Sequence, residues 1–188
     1  MKSIITSLVI LFSVSLCSNA QISPFGVKGG LNVSSISGYT QDTAPRAGVN
    51  IGIFSSLKLT RHLKLKPEMV LSNQGLKKSG AQNSYWYLNV PVMLQYKPNT
   101  PFFADLGVQV GTPLVANAEV NNKKQNITSQ VQNFDFAVCL GIGVDISPRA
   151  AIEARYNLGL TDTSTSQFSS DKYQNRTFQF SLAYVLFK

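Results

Sequence analysis

One histidine and two cysteines among 188 residues leave little material for metal sites or nucleophilic chemistry. Cys17 lies in an N-terminal stretch shaped like an export signal, so the mature chain keeps Cys139 alone and has no intramolecular disulfide to hold its fold. His62, in a short turn, lacks the sheltered nucleophile that a Ser-His-Asp arrangement requires. Cys139 alternates with Gly141 and Gly143, a setting in which a thiol acts as a small filler. There is no His/Cys cluster at metal-ligand spacing. Asp162 and Asp171 bracket a Ser/Thr-rich stretch without the regular order of a calcium loop. The glycines form no nucleotide fingerprint. No catalytic residue, cofactor or metal is therefore expected.

Charge is scarce and lopsided. Only 14% of residues are charged, 17 basic against 9 acidic, for a formal net charge of +8. The basic residues are scattered singly along the chain rather than gathered on a patch, which argues against a nucleic-acid partner. Anionic lipid headgroups and lipopolysaccharide fit a dispersed basic charge on an exported protein better. Proline-, glycine- or serine-rich linkers are also missing, so one domain is expected.

Long apolar runs are absent except at the start. Met1-Lys2, the run Ile4–Leu16 and then Ser18-Asn19-Ala20 supply the charged, apolar and small-residue regions of a signal peptide over residues 1–20. The run is shorter than the roughly 20 residues of a spanning helix. Leu16, just before Cys17, occupies the place where a lipoprotein signal wants a small residue. Residues 21–188 then form the mature domain, and the mean hydropathy of the whole chain is +0.02.

What fills that domain is a two-residue alternation. From Phe134 to Ile146 the apolar Phe134, Phe136, Val138, Leu140, Ile142, Val144 and Ile146 alternate with Asp135, Ala137, Cys139, Gly141, Gly143 and Asp145. A strand sends successive side chains to opposite faces, so one face is greasy and the other small or polar. The same pattern predicts eight strands, at about Phe25–Ser34, Ala47–Leu59, Leu63–Gly75, Tyr85–Tyr96, Phe102–Ala116, Phe134–Ile146, Ala151–Thr161 and Thr177–Phe187. Most reach the ~9–11 residues needed to cross a bilayer at a tilt.

The connections alternate in length. Thr60-Arg61-His62, Pro98-Asn99-Thr100-Pro101 and Ser147-Pro148-Arg149 are tight turns, whereas Ile36–Arg46, Leu76–Ser84, Asn117–Asn133 and Asp162–Arg176 are longer and polar. Segregation of short turns from long loops is the habit of outer-membrane barrels, whose short turns face the periplasm. The predicted fold is an all-β, eight-stranded antiparallel up-and-down transmembrane β-barrel with short periplasmic turns and longer extracellular loops. Outward parity then places Trp86, Phe134, Phe136, Phe178 and Phe180 at the long-loop end and Phe25, Tyr96, Phe102 and Tyr184 at the short-turn end, two aromatic girdles.

Inward parity collects charge of both signs in the half nearer the short turns: Lys28, Lys58, Lys64, Lys66 and Arg155 with Glu68, Asp105, Asp145 and Glu153. An isolated charge there would be poorly solvated, so these groups are expected to pair across the lumen as a plug. Nine glycines share the inward parity and leave room for bulkier neighbours in a narrow barrel.

Four short patterns carry a family resemblance. Gly26-Val27-Lys28-x-Gly30-Leu31-Asn32, Lys66-Pro67-Glu68 leading to Gln74-Gly75, Leu88-Asn89-Val90-Pro91 and Glu153-Ala154-Arg155-Tyr156-Asn157-Leu158-Gly159-Leu160 together resemble the outer membrane β-barrel domain family, also called porin family proteins. The resemblance implies a barrel in the outer membrane of a Gram-negative bacterium, no agreed catalytic residues, and insertion by the barrel assembly machinery. One departure is the chain end, where Phe187 falls on inward parity ahead of Lys188. The expected role is structural or surface-interacting, through extracellular loops whose ligand the residues do not name. The alternatives are a small enzyme modifying outer-membrane lipid, a narrow porin, and a soluble lipid-carrying barrel in the periplasm.

Overall fold

The computed structural model describes residues 24–37, 43–78, 81–120, 123–126, 134–161 and 174–187. Eight long strands run through them: β1 Phe25–Ser37, β2 Thr43–Ser55, β3 Leu63–Lys78, β4 Ala81–Tyr96, β5 Phe102–Val120, β6 Asp135–Asp145, β7 Ala150–Gly159 and β8 Gln174–Phe187. A two-residue piece, Leu57–Lys58, continues β2 against β3, and Lys123–Asn126 folds back as a hairpin on β5. Each strand pairs antiparallel with its neighbours in sequence, β1 pairs with β8 and β2 with β3, so the sheet closes on itself. Closure leaves no edge in the hydrocarbon region, the condition for a sheet to cross a bilayer.

The side-chain alternation explains the orientation of every strand. Leu106, Leu140, Ile142, Ile152, Phe180 and Leu182 are all about half exposed or more, while their chain neighbours Asp105, Cys139, Glu153, Gln179 and Ser181 are buried. A soluble barrel would bury the first set. Here the buried interior is polar, the inside-out distribution of a barrel facing lipid.

The strands run further toward the long-loop side than the sequence pattern predicts. The segment Leu76–Ser84, expected as a loop, is mostly ladder: β3 continues to Lys78 and β4 begins at Ala81, with Lys78 opposite Ala81. Likewise β5 reaches Val120, inside the expected loop Asn117–Asn133, and there it pairs with Lys123. Polar residues such as Gln82, Asn83 and Asn117 read as loop because strand propensity is weak for them, yet the hairpin ladder continues above the hydrophobic band. The remaining loop residues, and the signal segment 1–20, lie outside the described residues.

The chain end also departs from the simple alternation. A bulge pairs Gly26 with Val185 but Phe25 with Phe187, so Leu186 is the extra residue and Phe187 moves to the face of Phe25. Phe187 is 65% exposed. The expected inward parity is thus overturned, and an outward aromatic ends the last strand.

Two ladder interruptions mark special places. Pro67 on β3 pairs with Val92, and beyond it the β3–β4 ladder breaks at Glu68 and Met69, where Pro91 on β4 has no N–H to give. Between β2 and β3 the ladder breaks from Arg46 to Val49. Side chains bridge that seam: Asn32 donates to the carbonyl of Asn73 at 3.3 Å, Arg46 to that of Gln74 at 2.8 Å and Ser34 to that of Gly75 at 3.0 Å. Gly48 is obligatory here, since a Cβ on it would stand 2.0 Å from the Asn73 carbonyl oxygen.

Candidate functional site in the barrel lumen

Three strands that are far apart in sequence deliver five charged side chains to one point in the lumen. Lys28 comes from β1, Lys66 and Glu68 from β3, Glu153 and Arg155 from β7, and each is at most 3% exposed. Arg155 meets Glu68 as a two-pronged fork, with Nη1 to Oε2 and Nη2 to Oε1 both at 2.8 Å. Lys28 bridges the two carboxylates, 3.1 Å from Glu68 and 2.8 Å from Glu153. Lys66 pairs with Glu153 and lies 3.7 Å from Glu68. Asp105, on β5 and 4% exposed, completes a set of three cations and three anions and accepts a hydrogen bond from Gln95.

Geometry makes this more than a surface ion-pair network. Taking charges out of water costs several kcal/mol per ion, which only mutual pairing with good hydrogen bonds offsets. The fork supplies that geometry, because guanidinium and carboxylate match as planar two-point partners.

Small residues let the network sit where it does. A Cβ on Gly26 would stand 2.4 Å from the Phe54 ring, and one on Gly143 would stand 2.2 Å from the Phe103 ring. Those two rings therefore fit inside the lumen, on either side of Lys66, whose Nζ is 4.9 Å from the centroid of Phe54 and 5.9 Å from that of Phe103. Met93, fully buried, fills the space beside Gly107. Above the ion network toward the long loops runs a layer of uncharged side chains: Asn50 donates to Asn32 at 2.7 Å, Asn32 and Gln74 donate to Ser72, and Asn175 donates to Gln74 at 2.6 Å. Amide groups of Asn89, Asn157 and Gln179 point into this region without a hydrogen-bond partner among the described residues, polar surface suited to bound water.

Three residues expected in the cluster lie elsewhere. Lys58 is exposed on the short-turn rim, paired in register with Lys64, because β2 ends at Ser55 and only a two-residue piece carries Lys58 onward. Lys64 is half-buried at the lumen mouth. Asp145 also stands at the mouth, where it pairs with Lys97, a partner that parity did not reveal because Lys97 falls in the turn after β4. Asp135 and Arg46 were likewise not anticipated. Both occupy inward positions toward the long-loop end, Arg46 on the Gln74 carbonyl and Asp135 beside Asn175. Their inward parity was the available signal.

The expected girdle residues face outward. Phe102, Tyr96 and Tyr184 are exposed near the short turns and Phe134, Phe136, Phe178 and Phe180 toward the long loops, while Phe25 and Trp86 are half-buried. Phe187 adds to the first group, and Tyr156 packs on Phe178 with ring centroids 4.6 Å apart. His62 rests 6.5 Å from the ring of Tyr96 at the membrane edge, and Cys139 is a buried free thiol.

The four sequence patterns converge on the ion network. Lys28, the pair Lys66 and Glu68, the Asn89–Pro91 stretch opposite them, and Glu153 with Arg155 all belong to it or line it. A profile of the family described as "Outer membrane protein beta-barrel domain" matches residues 19–165. The chain belongs to that family. The matched segment ends before β8, the strand whose pairing with β1 closes the barrel.

This family member shares its architecture with solved outer-membrane barrels. Neisserial surface protein A is similar at a TM-score of 0.59 and 12% identity, over 86% of this chain and 97% of that one. The attachment invasion locus protein Ail of Yersinia pestis follows at a TM-score of 0.54 and 12% identity, with the same coverage of 86% and 97%. Ail in complex with the heparin analogue sucrose octasulfate gives a TM-score of 0.51 at 15% identity, again over 86% and 97%. At these identities the likeness concerns the fold. No curated protein matches the chain. The protein is an eight-stranded β-barrel of the outer membrane.

Proposed function

We propose that this barrel is a closed, non-enzymatic outer-membrane protein that holds its long-loop side at the cell surface for interaction, after export by the signal at residues 1–20. The observation that carries this reading is the ion network: Arg155, Glu68, Lys28, Glu153 and Lys66 meet across the lumen, each at most 3% exposed. An eight-stranded barrel is only wide enough to be filled by its own side chains, whereas water-filled porins use about 16–18 strands. Phe54 and Phe103 narrow the same cross-section. The single histidine lies in a short turn against Tyr96, so among the described residues no histidine–carboxylate pair of a hydrolase is assembled. Recognition then falls to the loops, which a rigid scaffold commonly carries. Single-channel recording in planar bilayers tests the reading. The wild type is expected to give no sustained conductance, and steady ion-selective steps would overturn the closed lumen.

A further inference from the structure

Where β2 stops at Ser55 the chain does not turn at once: Leu57 and Lys58 pair with Leu65 and Lys64, and the N–H groups of Leu59 and Thr60 both donate to the Leu63 carbonyl at 3.0 Å. The resulting hairpin is two-faced. Residues opposite one another in a ladder share a face, so Leu57, Leu59, Leu63 and Leu65 line one side, continuous with the outward Leu94 and Tyr96 that pair with Leu65 and Leu63. Lys58 belongs to the other side and Arg61 to the tip, and both are exposed. The tip is held in shape, because Thr60 Oγ1 accepts from the backbone N–H of His62 at 3.3 Å and of Leu63 at 3.1 Å, and the N–H of Lys97 donates to the His62 carbonyl at 2.8 Å. Leu59 still keeps 55% of its surface exposed. The segment Ser56–His62 contains no Asp or Glu, and neither Lys58 nor Arg61 joins a salt bridge among the described residues.

We propose that this hairpin is a binding site for an anionic phospholipid, with Arg61 and Lys58 on the headgroup phosphate and the leucine face against the acyl chains. Depth follows from continuity. The leucines extend the lipid-facing band past the end of β2, and Tyr96 beside them is of the type that settles at headgroup level, so the hairpin lies in the interface and its tip at the depth of the phosphates. A lone exposed leucine would need no partner, but four on one face that runs on from the bilayer surface do. The guanidinium of Arg61 offers planar paired donors that match phosphate oxygens, and Lys58 can carry its ammonium to the same level on a long apolar stem. With no carboxylate in the segment to take up either charge, a headgroup of net negative charge is preferred over a zwitterionic one. The lipid belongs to the periplasm-facing leaflet, an assignment that rests on the sidedness proposed above.

The test uses the full mature chain folded in phosphatidylcholine nanodiscs and follows backbone amide resonances as phosphatidylglycerol replaces part of the lipid at constant ionic strength. The amides of Lys58 to Leu63 are expected to shift saturably, and those around Asn99, in the next short turn, to shift less. Lys58→Gln and Arg61→Gln, both at exposed positions, should each weaken the apparent affinity about fivefold, the usual worth of one cation near an anionic surface. Leu59→Ser should weaken it as well, because a lipid senses the apolar face and a soluble anion does not. Arg176→Gln, an exposed change on β8 toward the opposite end, should leave it unchanged. Shifts that never saturate, equal affinity in wild type and Arg61→Gln, or insensitivity to Leu59→Ser would overturn the proposal, and so would displacement of the lipid by inorganic phosphate. Discs expose both leaflets to the same lipid, so this result stands apart from sidedness, which labelling of tags on intact cells decides separately.

Discussion

Arg155 on β7 and Glu68 on β3 face each other across the lumen and join through two parallel hydrogen bonds of 2.8 Å, with Glu68 wholly buried and Arg155 3% exposed. The two strands are not neighbours in the sheet, so the fork ties opposite walls of the cylinder. Lys28 on β1 and Lys66 on β3 share Glu153 with it, which spreads the restraint over three strands.

Removal of one partner should therefore cost more than loss of the pair. Glu68→Ala leaves Arg155, Lys28 and Lys66 with one buried carboxylate fewer, a loss of about 3–5 kcal/mol. Glu68→Ala with Arg155→Ala should be less destabilised than the sum of the single changes. Urea unfolding of the refolded barrel, followed by its gel mobility with and without heating, reads both. Additive losses would show that the fork carries no coupling.

Overpacking under Phe103 should also be costly. A Cβ at Gly143 would stand 2.2 Å from that ring and 2.7 Å from the Ile152 carbonyl oxygen. Gly143→Val is expected to destabilise by about 1–3 kcal/mol, and Phe103→Ala in the same chain should recover part of it. Equal stability of Gly143→Val and wild type would mean that the inward glycines are dispensable.

Sidedness follows from the connections. An epitope tag inserted between Asn122 and Lys123, beside the hairpin on β5, should be labelled on intact cells. A tag at Asn99, in the turn between β4 and β5, should be labelled only after the outer membrane is permeabilised. The reverse pattern would invert the barrel.

His62→Ala should change stability by no more than about 0.5 kcal/mol, because the side chain sits in a surface turn, its ring 6.5 Å from that of Tyr96. Lipid-hydrolysing activity, assayed on purified barrel with phospholipid or lipopolysaccharide substrate, should be undetectable in wild type and variant alike. An activity present in wild type and lost in His62→Ala would favour an enzyme.

The alternation by itself determined the barrel. Period-two patterning with apolar residues such as Leu106 and Ile142 on one parity and Asp105, Glu153 and Arg155 on the other specifies which face meets lipid, because a strand allows no third option. Parity likewise placed Lys28, Lys66, Glu68, Glu153 and Arg155 in one lumen. It did not say who pairs with whom, since partners 40 to 125 residues apart meet only through register and closure. Where parity alone was followed to the strand ends it failed at Lys58, because β2 ends at Ser55, and at Phe187, because a bulge adds one residue and reverses the side chain beyond it. The hairpin extension through Leu76–Ser84 was hidden for another reason: beyond the hydrocarbon band neither face of a strand needs to be apolar, so the sequence there keeps no period to read. Local pattern thus set faces and topology, and only the closed ladder decided depth, pairing and the shape of the two lumen ends.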